Sequence, residues 1–183
     1  MEFYNGSNSH IEVLNSKHSS VVVLFESSKP ELNEFLRKDA FGYQNLNLGI
    51  TYLLLDDKNK LLAYVTLGMG SLRIPDMHEF DFHGKKLKEY PKDFPNQFPA
   101  LLIGKLATNK DDENKGCGGL LLDYALKIAM EEKQKIGCAY VLAHVYPESL
   151  DWYKKNGFQT YVKGIASKET IAEWQSTARF AGG

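Results

Sequence analysis

The stretch whose reading decides the fold is Leu101-Leu102-Ile103-Gly104-Lys105-Leu106-Ala107-Thr108. It is followed by the polar Asn109-Lys110-Asp111-Asp112-Glu113-Asn114-Lys115, then by Gly116-Cys117-Gly118-Gly119 and Leu120-Leu121-Leu122-Asp123-Tyr124-Ala125-Leu126-Lys127-Ile128-Ala129-Met130. The first eight residues are an apolar run of strand length ending in charged and turn-forming residues, which predicts a buried strand. Leu122, Ala125, Leu126 and Ala129 recur at i, i+3, i+4 and i+7 and leave Asp123, Lys127 and Glu131 for solvent, so an amphipathic helix follows at once. Gly116, Gly118 and Gly119 fall where the first N–H groups of that helix have no partner within it. Glycine lets a ligand come close to the backbone, and the positive end of the helix favours an anion such as phosphate or pyrophosphate. A tight connection without a ligand is the other reading of a lone Gly-rich turn, and both stay open here.

Upstream, residues 1–20 are polar and irregular in pattern and read as a loosely held lead-in. Val21–Phe25 is a short β-branched run that predicts a strand. Ser28, Pro30 and Glu31 combine a cap, a first-turn proline and a capping-box acid, which starts a helix with Leu32, Phe35 and Leu36 on its apolar face. Gly42 and the Asn-rich stretch after it are expected to end that helix. Ile50–Leu55 and Leu61–Leu67 are two strands whose linker, Asp56–Lys60, has hairpin composition and length. Residues 71–100 hold Pro75, Pro91, Pro95 and Pro99 and read as a long excursion with room for one short helix. Its lysines 85, 86, 88 and 92 suit either a solvated loop, the favoured reading, or a phosphate backbone.

Downstream, Gly137 breaks the main helix and Cys138–Tyr146 predicts a second buried strand. Pro147 opens a short helix, Asn156-Gly157 closes it, and Phe158–Val162 predicts the next strand. The tail, residues 167–183, has a helical look through Ile171, Trp174 and Ala178 and no evident role. The order of elements gives a mixed α/β fold, antiparallel at first, with a parallel-type crossover around the main helix. At 183 residues the simplest organisation is one domain over 1–183, with ordinary apolar (43%) and charged (25%) content. A net charge of −1 provides no overall attraction to nucleic acid or anionic membrane. Two cysteines, Cys117 and Cys138, form no disulfide framework. With no signal-peptide layout and no apolar run near the roughly 20 residues that span a bilayer, a soluble cytoplasmic protein is expected.

Two separated stretches resemble the GNAT superfamily of acyl-CoA-dependent N-acetyltransferases. One is the Gln/Arg-x-x-Gly-x-Gly/Ala pattern, present as Glu113-Asn114-Lys115-Gly116-Cys117-Gly118; the other is the aromatic-Tyr-x-x-x-Gly-Phe ending, present as Trp152-Tyr153-Lys154-Lys155-Asn156-Gly157-Phe158. Within the superfamily the chain is most similar in look to a bacterial branch that includes toxins of toxin–antitoxin pairs. That branch has a proline-led strand close to LLGRLAV, here Phe98-Pro99-Ala100 followed by Leu101–Thr108. The resemblance covers roughly residues 21–162 and implies a mostly antiparallel central sheet flanked by helices. It further implies that backbone groups of Leu106, Ala107 and Thr108 line the pantetheine arm of acetyl-CoA. Glu113, Asn114, Lys115, Gly116, Cys117, Gly118 and Gly119 would form the pyrophosphate cradle, with Lys115 to Gly119 wrapping it, and Tyr153 would lie near the thioester sulfur. Glu113 departs from the pattern by putting a carboxylate near the phosphates, with Asp111 and Asp112 close in sequence, and Lys110 and Lys115 are expected to offset this.

The resemblance implies direct attack by an amine on acetyl-CoA in a ternary complex, with no acyl-enzyme and no metal. Backbone N–H groups would face the developing oxyanion, and Tyr153 would donate to the departing sulfur; a phenol of pKa about 10 is matched well enough to a thiol of about 8.5. Packing beside Trp152 is the plainer role for Tyr153. No general base announces itself: His144, Glu148, His78, Glu79, Asp81 and His83 qualify by type alone, and a strand histidine such as His144 is more often structural. The missing base favours an acceptor of low pKa, since an α-amine (about 7.7–8.0) is substantially neutral near neutrality and a lysine amine (about 10.4) is not. The main expectation is an acetyl-CoA:amine N-acetyltransferase with an unknown amine substrate. The alternatives are a toxin that acetylates aminoacyl-tRNA and has an antitoxin partner, or a non-catalytic acyl-CoA-binding regulatory module. A homodimer is left open.

Overall fold

The computed structural model describes residues 2–4, 7–73, 81–82, 85–86, 97–161 and 170–175. The chain forms two compact units, the first from residues 1–69 and 103–128, the second from 70–102 and 129–183.

In the first unit the strand order is β1 (Glu2–Tyr4), β2 (Ser7–Val13), β3 (Ile50–Asp56), β4 (Leu61–Arg73) and β7 (Gln97–Thr108), with β4 and β7 continuing into the second unit. The expected hairpin is β3–β4, antiparallel from Ile50 opposite Leu67 to Leu55 opposite Leu61, with a register shift at Leu54/Leu55. Its linker is held by the Asp56 carboxylate, which accepts from the backbone N–H of Lys58 (2.9 Å) and Lys60 (2.7 Å). Leu53, Leu54, Leu55, Ala63, Tyr64 and Val65 are fully buried, the unbroken apolar run of strands covered on both faces. The main helix is α4 (Cys117–Lys135), with Leu121, Leu122, Ala125, Leu126 and Ala129 buried and Asp123, Lys127 and Glu131 exposed, the face anticipated from spacing.

Three sequence readings of the N-terminal part are overturned and a fourth holds in part. Residues 1–20 are not a loose lead-in: β2 pairs with both β1 and β3, and a 3-10 turn at Ser16–His18 runs into α1 (Ser19–Leu24). Val21–Phe25 is therefore helix and not strand through Leu24. The reason is burial at helical spacing, since Leu14, His18, Val22 and Phe25 are inside while Val23 and Leu24 are 64% and 75% exposed. Asn15 starts this turn as a capping box with His18, a signal that outweighs β-branched propensity. Ser28 does not cap α2 (Pro30–Glu34): Lys29 is the cap residue and makes no side-chain cap bond, so Glu31 closes no capping box, and the Ser27 hydroxyl donates to the Lys29 carbonyl instead. Gly42 lies inside the helical run, which passes through a wide turn at Phe35–Asp39 and α3 (Ala40–Asn45), but the Asn-rich stretch after it ends the run as expected: Asn47, at φ 55°, supplies the left-handed residue that turns the chain.

In the second unit the order is β4, β7, β8 (Tyr140–Val145), β10 (Thr170–Gln175) and β9 (Gln159–Tyr161). Leu72, Phe98, Ala100, Tyr140 and Leu142 form its buried cluster. A 3-10 turn at Pro147–Ser149 leads into α5 (Leu150–Lys155), and Gly157, at φ 89°, reverses the chain as its position after Asn156 predicts. The tail reading is corrected: residues 170–175 are a strand antiparallel to both β8 and β9. Two strands with open edges offer these residues two ladders of hydrogen bonds, which a weak helical period cannot match. Of the 71–100 excursion, residues 71–73 and 97–100 belong to β4 and β7, and β5 (Asp81–Phe82) pairs with β6 (Lys85–Lys86). The remainder, including Lys88, Lys92 and the suggested short helix, lies outside the described residues. No helix among the described residues is long and apolar enough to cross a membrane.

Candidate active site

The Gly-rich stretch is held as a rigid shelf at the end of β7. Ala107 is buried there, between the half-buried Leu106 and Thr108. Asn109, next along, is tied three ways: its N–H donates to the Leu62 carbonyl (2.8 Å), its side-chain amide to the Leu61 carbonyl (3.4 Å), and its side-chain oxygen accepts from the Asp111 N–H (3.3 Å). A 3-10 turn at Lys110–Asp112 follows, and the Lys110 N–H is spent on the Glu26 carbonyl at 2.7 Å. Asn114 and Gly116 then take left-handed conformations (φ 61° and 92°), turning the chain into α4. Asparagine tolerates that region and glycine adopts it freely.

The first turn of α4 has the features an anion needs. Among the described residues the N–H groups of Gly118 and Gly119 donate to no acceptor, while the Leu120 N–H already bonds the Gly116 carbonyl at 3.1 Å. A Cβ at Gly119 would meet nothing within 4 Å, so packing within the protein does not require glycine there. Cys117, the first residue of α4, is buried, and Glu113, Asn114, Lys115 and Gly116 are exposed.

Of the carboxylates gathered here, Asp112 is the one that Lys115 pairs with: its ammonium bonds that carboxylate at 3.0 Å, and Lys60 of the β3–β4 linker bonds the other oxygen at 2.6 Å. Asp112 is buried; burial alone would push its carboxyl up, but the two ammonium groups outweigh that and hold it below the ordinary carboxylate range. Lys60 is raised, first by its hydrogen bond to Asp112, so it stays charged. Lys60 was not singled out from sequence, and Asp112 only as one of the carboxylates beside Glu113. The Asp112–Lys115 spacing is a weak local signal, and Lys60 lies 52 residues from its partner, beyond any pattern.

Tyr153 belongs to the second unit, on α5. It is buried, with Trp152 packed edge-on at 4.9 Å between ring centroids and Phe158 at 5.1 Å. Its hydroxyl has no hydrogen-bond partner among the described residues, and burial pushes its pKa well up, so the phenol stays protonated at neutral pH. The tight aromatic packing expected as its plainer role is present. Among the base candidates, His144 is exposed on β8 and Glu148 is exposed in the turn before α5. Asp81 is described only through its place in β5, and His78, Glu79 and His83 lie outside the described residues. No group of His, Cys, Asp and Glu among the described residues is arranged to hold a metal ion.

No family model matches the chain. Known structures do. Over 92% of this chain and 95% of the other, it superposes with a TM-score of 0.76 on AtaT complexed with acetyl-methionyl-tRNAfMet, at 18% identity. This chain has the fold of the GNAT-type toxins. A second structure, AtaTR bound with AcCoA, matches with a TM-score of 0.75 and 17% identity over 92% of this chain and 94% of that one. In sequence, a tRNA-acetylating toxin of Mycobacterium tuberculosis (strain ATCC 25618 / H37Rv) is 22% identical over 139 residues, 75% of this chain and 78% of the relative. The mixed sheet with flanking helices expected from the sequence is thus the fold observed.

Proposed function

We propose that this protein is an acetyl-CoA-dependent N-acetyltransferase whose acceptor is the α-amino group of an aminoacyl-tRNA, that it acts in the cytoplasm, and that an antitoxin partner restrains it. The observation that carries the reading is the match, over nearly the whole of both chains, to a toxin captured with an acetylated aminoacyl-tRNA, alongside the sequence match to a tRNA-acetylating toxin. The unspecified amine of the main expectation is thereby narrowed to the acceptor of its first alternative.

The chemistry fits what the residues can do. The first turn of α4 receives the pyrophosphate of acetyl-CoA on free N–H groups, and the open space at Gly119 allows that approach. The acceptor nitrogen attacks the thioester carbonyl carbon; the C–N bond forms, the C–S bond breaks, and Tyr153 passes its proton to the leaving sulfur. The attacking nitrogen then sheds a proton to solvent, and the phenol regains one. No strong base is required, because an α-amine of pKa about 7.7–8.0 is already substantially neutral at physiological pH. The near-neutral net charge limits the electrostatic contribution, so contact with tRNA is expected to be local and not spread across the surface.

The test is incubation with radiolabelled acetyl-CoA and a panel of charged tRNAs, free amino acids and peptides. Label recovered on the aminoacyl-tRNA, stable to mild deacylation as an N-acetylated amino acid, is the expected result. Label on free amines alone would return the reading to a small-molecule acetyltransferase. Growth arrest on expression, relieved by a neighbouring small open reading frame, is the expected cellular counterpart.

A further inference from the structure

We infer that Asp112 is a positioning residue for the acyl-CoA site: by holding Lys60 and Lys115 on its two oxygens it fixes two ammonium groups beside the cradle, in place of the side chain that Glu113 does not provide. The inference rests on the proposed function, and it concerns how this chain binds the phosphates of coenzyme A.

Three observations in the first unit converge. Lys60 leaves a linker whose backbone is locked by the Asp56 carboxylate and by the left-handed Asn59, so the root of its side chain is fixed. Asn109 binds the carbonyls of Leu61 and Leu62, the residues directly after Lys60, so linker and cradle loop are tied together at backbone level. Asp112 closes the arrangement from within, buried, with one carboxylate oxygen for each lysine. Both lysine side chains remain about half exposed, 45% and 44%, so each ammonium keeps donors free for a ligand. Glu113, where the resemblance leads one to expect Gln or Arg, is exposed and has no ion-pair partner among the described residues. A phosphate beside Glu113 therefore needs cations from elsewhere in the fold, and Lys60 comes from 52 residues away to meet that need.

The sign of one mutation separates positioning from simple charge. If Asp112 were only a negative charge near an anion site, Asp112→Asn would tighten acetyl-CoA binding. Positioning requires the opposite, because the two lysines lose their common anchor. Affinity for acetyl-CoA is measured by calorimetry at two salt concentrations for the wild type, Lys60→Met, Asp112→Asn and the double variant. Lys60→Met is expected to weaken binding about tenfold, the size of one charge-assisted contact, and to flatten the salt dependence. Asp112→Asn is expected to weaken binding by a similar factor, with Lys60→Met adding less than about twofold on top of it. Unchanged affinity in Lys60→Met overturns the inference, as does equal or tighter binding in Asp112→Asn; Lys60→Met alters an exposed side chain, so its folding is not at stake. Absence of acetyl-CoA binding by the wild type would instead remove the proposed function itself.

Discussion

Replacing Tyr153 by phenylalanine tests whether the phenol acts in the reaction or merely packs. The ring is buried between Trp152 and Phe158 at 4.9 and 5.1 Å, and phenylalanine keeps both contacts. The deleted hydroxyl bonds nothing among the described residues, so the usual loss of about 0.5–1.5 kcal/mol for a hydrogen bond does not apply. Stability is therefore expected to change by less than about 1 kcal/mol, a shift in Tm of no more than roughly 2–4 °C for a chain of this length. A positioned proton donor is worth about 10²–10⁴ in rate, or roughly 2.7–5.4 kcal/mol of barrier. The contrast between a large kinetic effect and a small thermodynamic one is the signature sought. It is read by following thiol release from acetyl-CoA with charged tRNA as acceptor, with calorimetric melting and acetyl-CoA titration on the same preparations. Full turnover in Tyr153→Phe would refute the role, and a turnover loss that tracks a fall in Tm would assign the residue to packing. Because burial raises the pKa of Tyr153, the wild-type rate is expected to show no alkaline decline from this group up to about pH 10. Above that, unfolded chains release the phenolic proton while folded ones retain it, so stability falls as pH rises.

Three further outcomes are expected. Gly119→Ala should fold at least as well as the wild type, since its Cβ meets nothing within 4 Å and alanine gains up to about 1 kcal/mol in a helix, yet acetyl-CoA affinity should drop; unaltered affinity in it and in the bulkier Gly118→Trp would move the site elsewhere. Asp112, with its folded pKa depressed, contributes stability that is present above its unfolded value of about 3.9 and is lost as pH falls through the lower folded value. Melting curves of the wild type should accordingly fall more steeply below pH 4 than those of Asp112→Asn, and parallel curves would argue against the paired carboxylate. Asn15→Ala removes the cap that accepts from Lys17 N–H at 3.1 Å and should cost about 1 kcal/mol in urea unfolding, whereas a change below about 0.3 would show that packing alone sets the turn into α1.

Where a structural cause lies within a turn or two of chain, it could be read directly. The apolar stripe of α4, the φ-positive Gly116 and Gly157, and the Asp56-centred hairpin each follow from spacing or from residue chemistry at neighbouring positions. The two motifs around Gly116 and Tyr153 were likewise legible, and with them the fold class. Reading failed where a local preference competed with a distant partner. Val21–Phe25 prefers strand by composition, but Leu14, Val22 and Phe25 are buried at helical spacing. Residues 170–175 have a helical period and are captured by β8 and β9.

The amino-acid order by itself determined the elements whose hydrogen bonds close within four residues, and the shape of the turn that opens α4, because those depend only on backbone freedom and side-chain period. The tertiary structure decided which edges the termini complete, which lysine meets Asp112 across 52 residues, and that the Tyr153 phenol keeps its proton. Desolvation and ion pairing act through space, and chain order carries no direct record of which groups will share a buried environment.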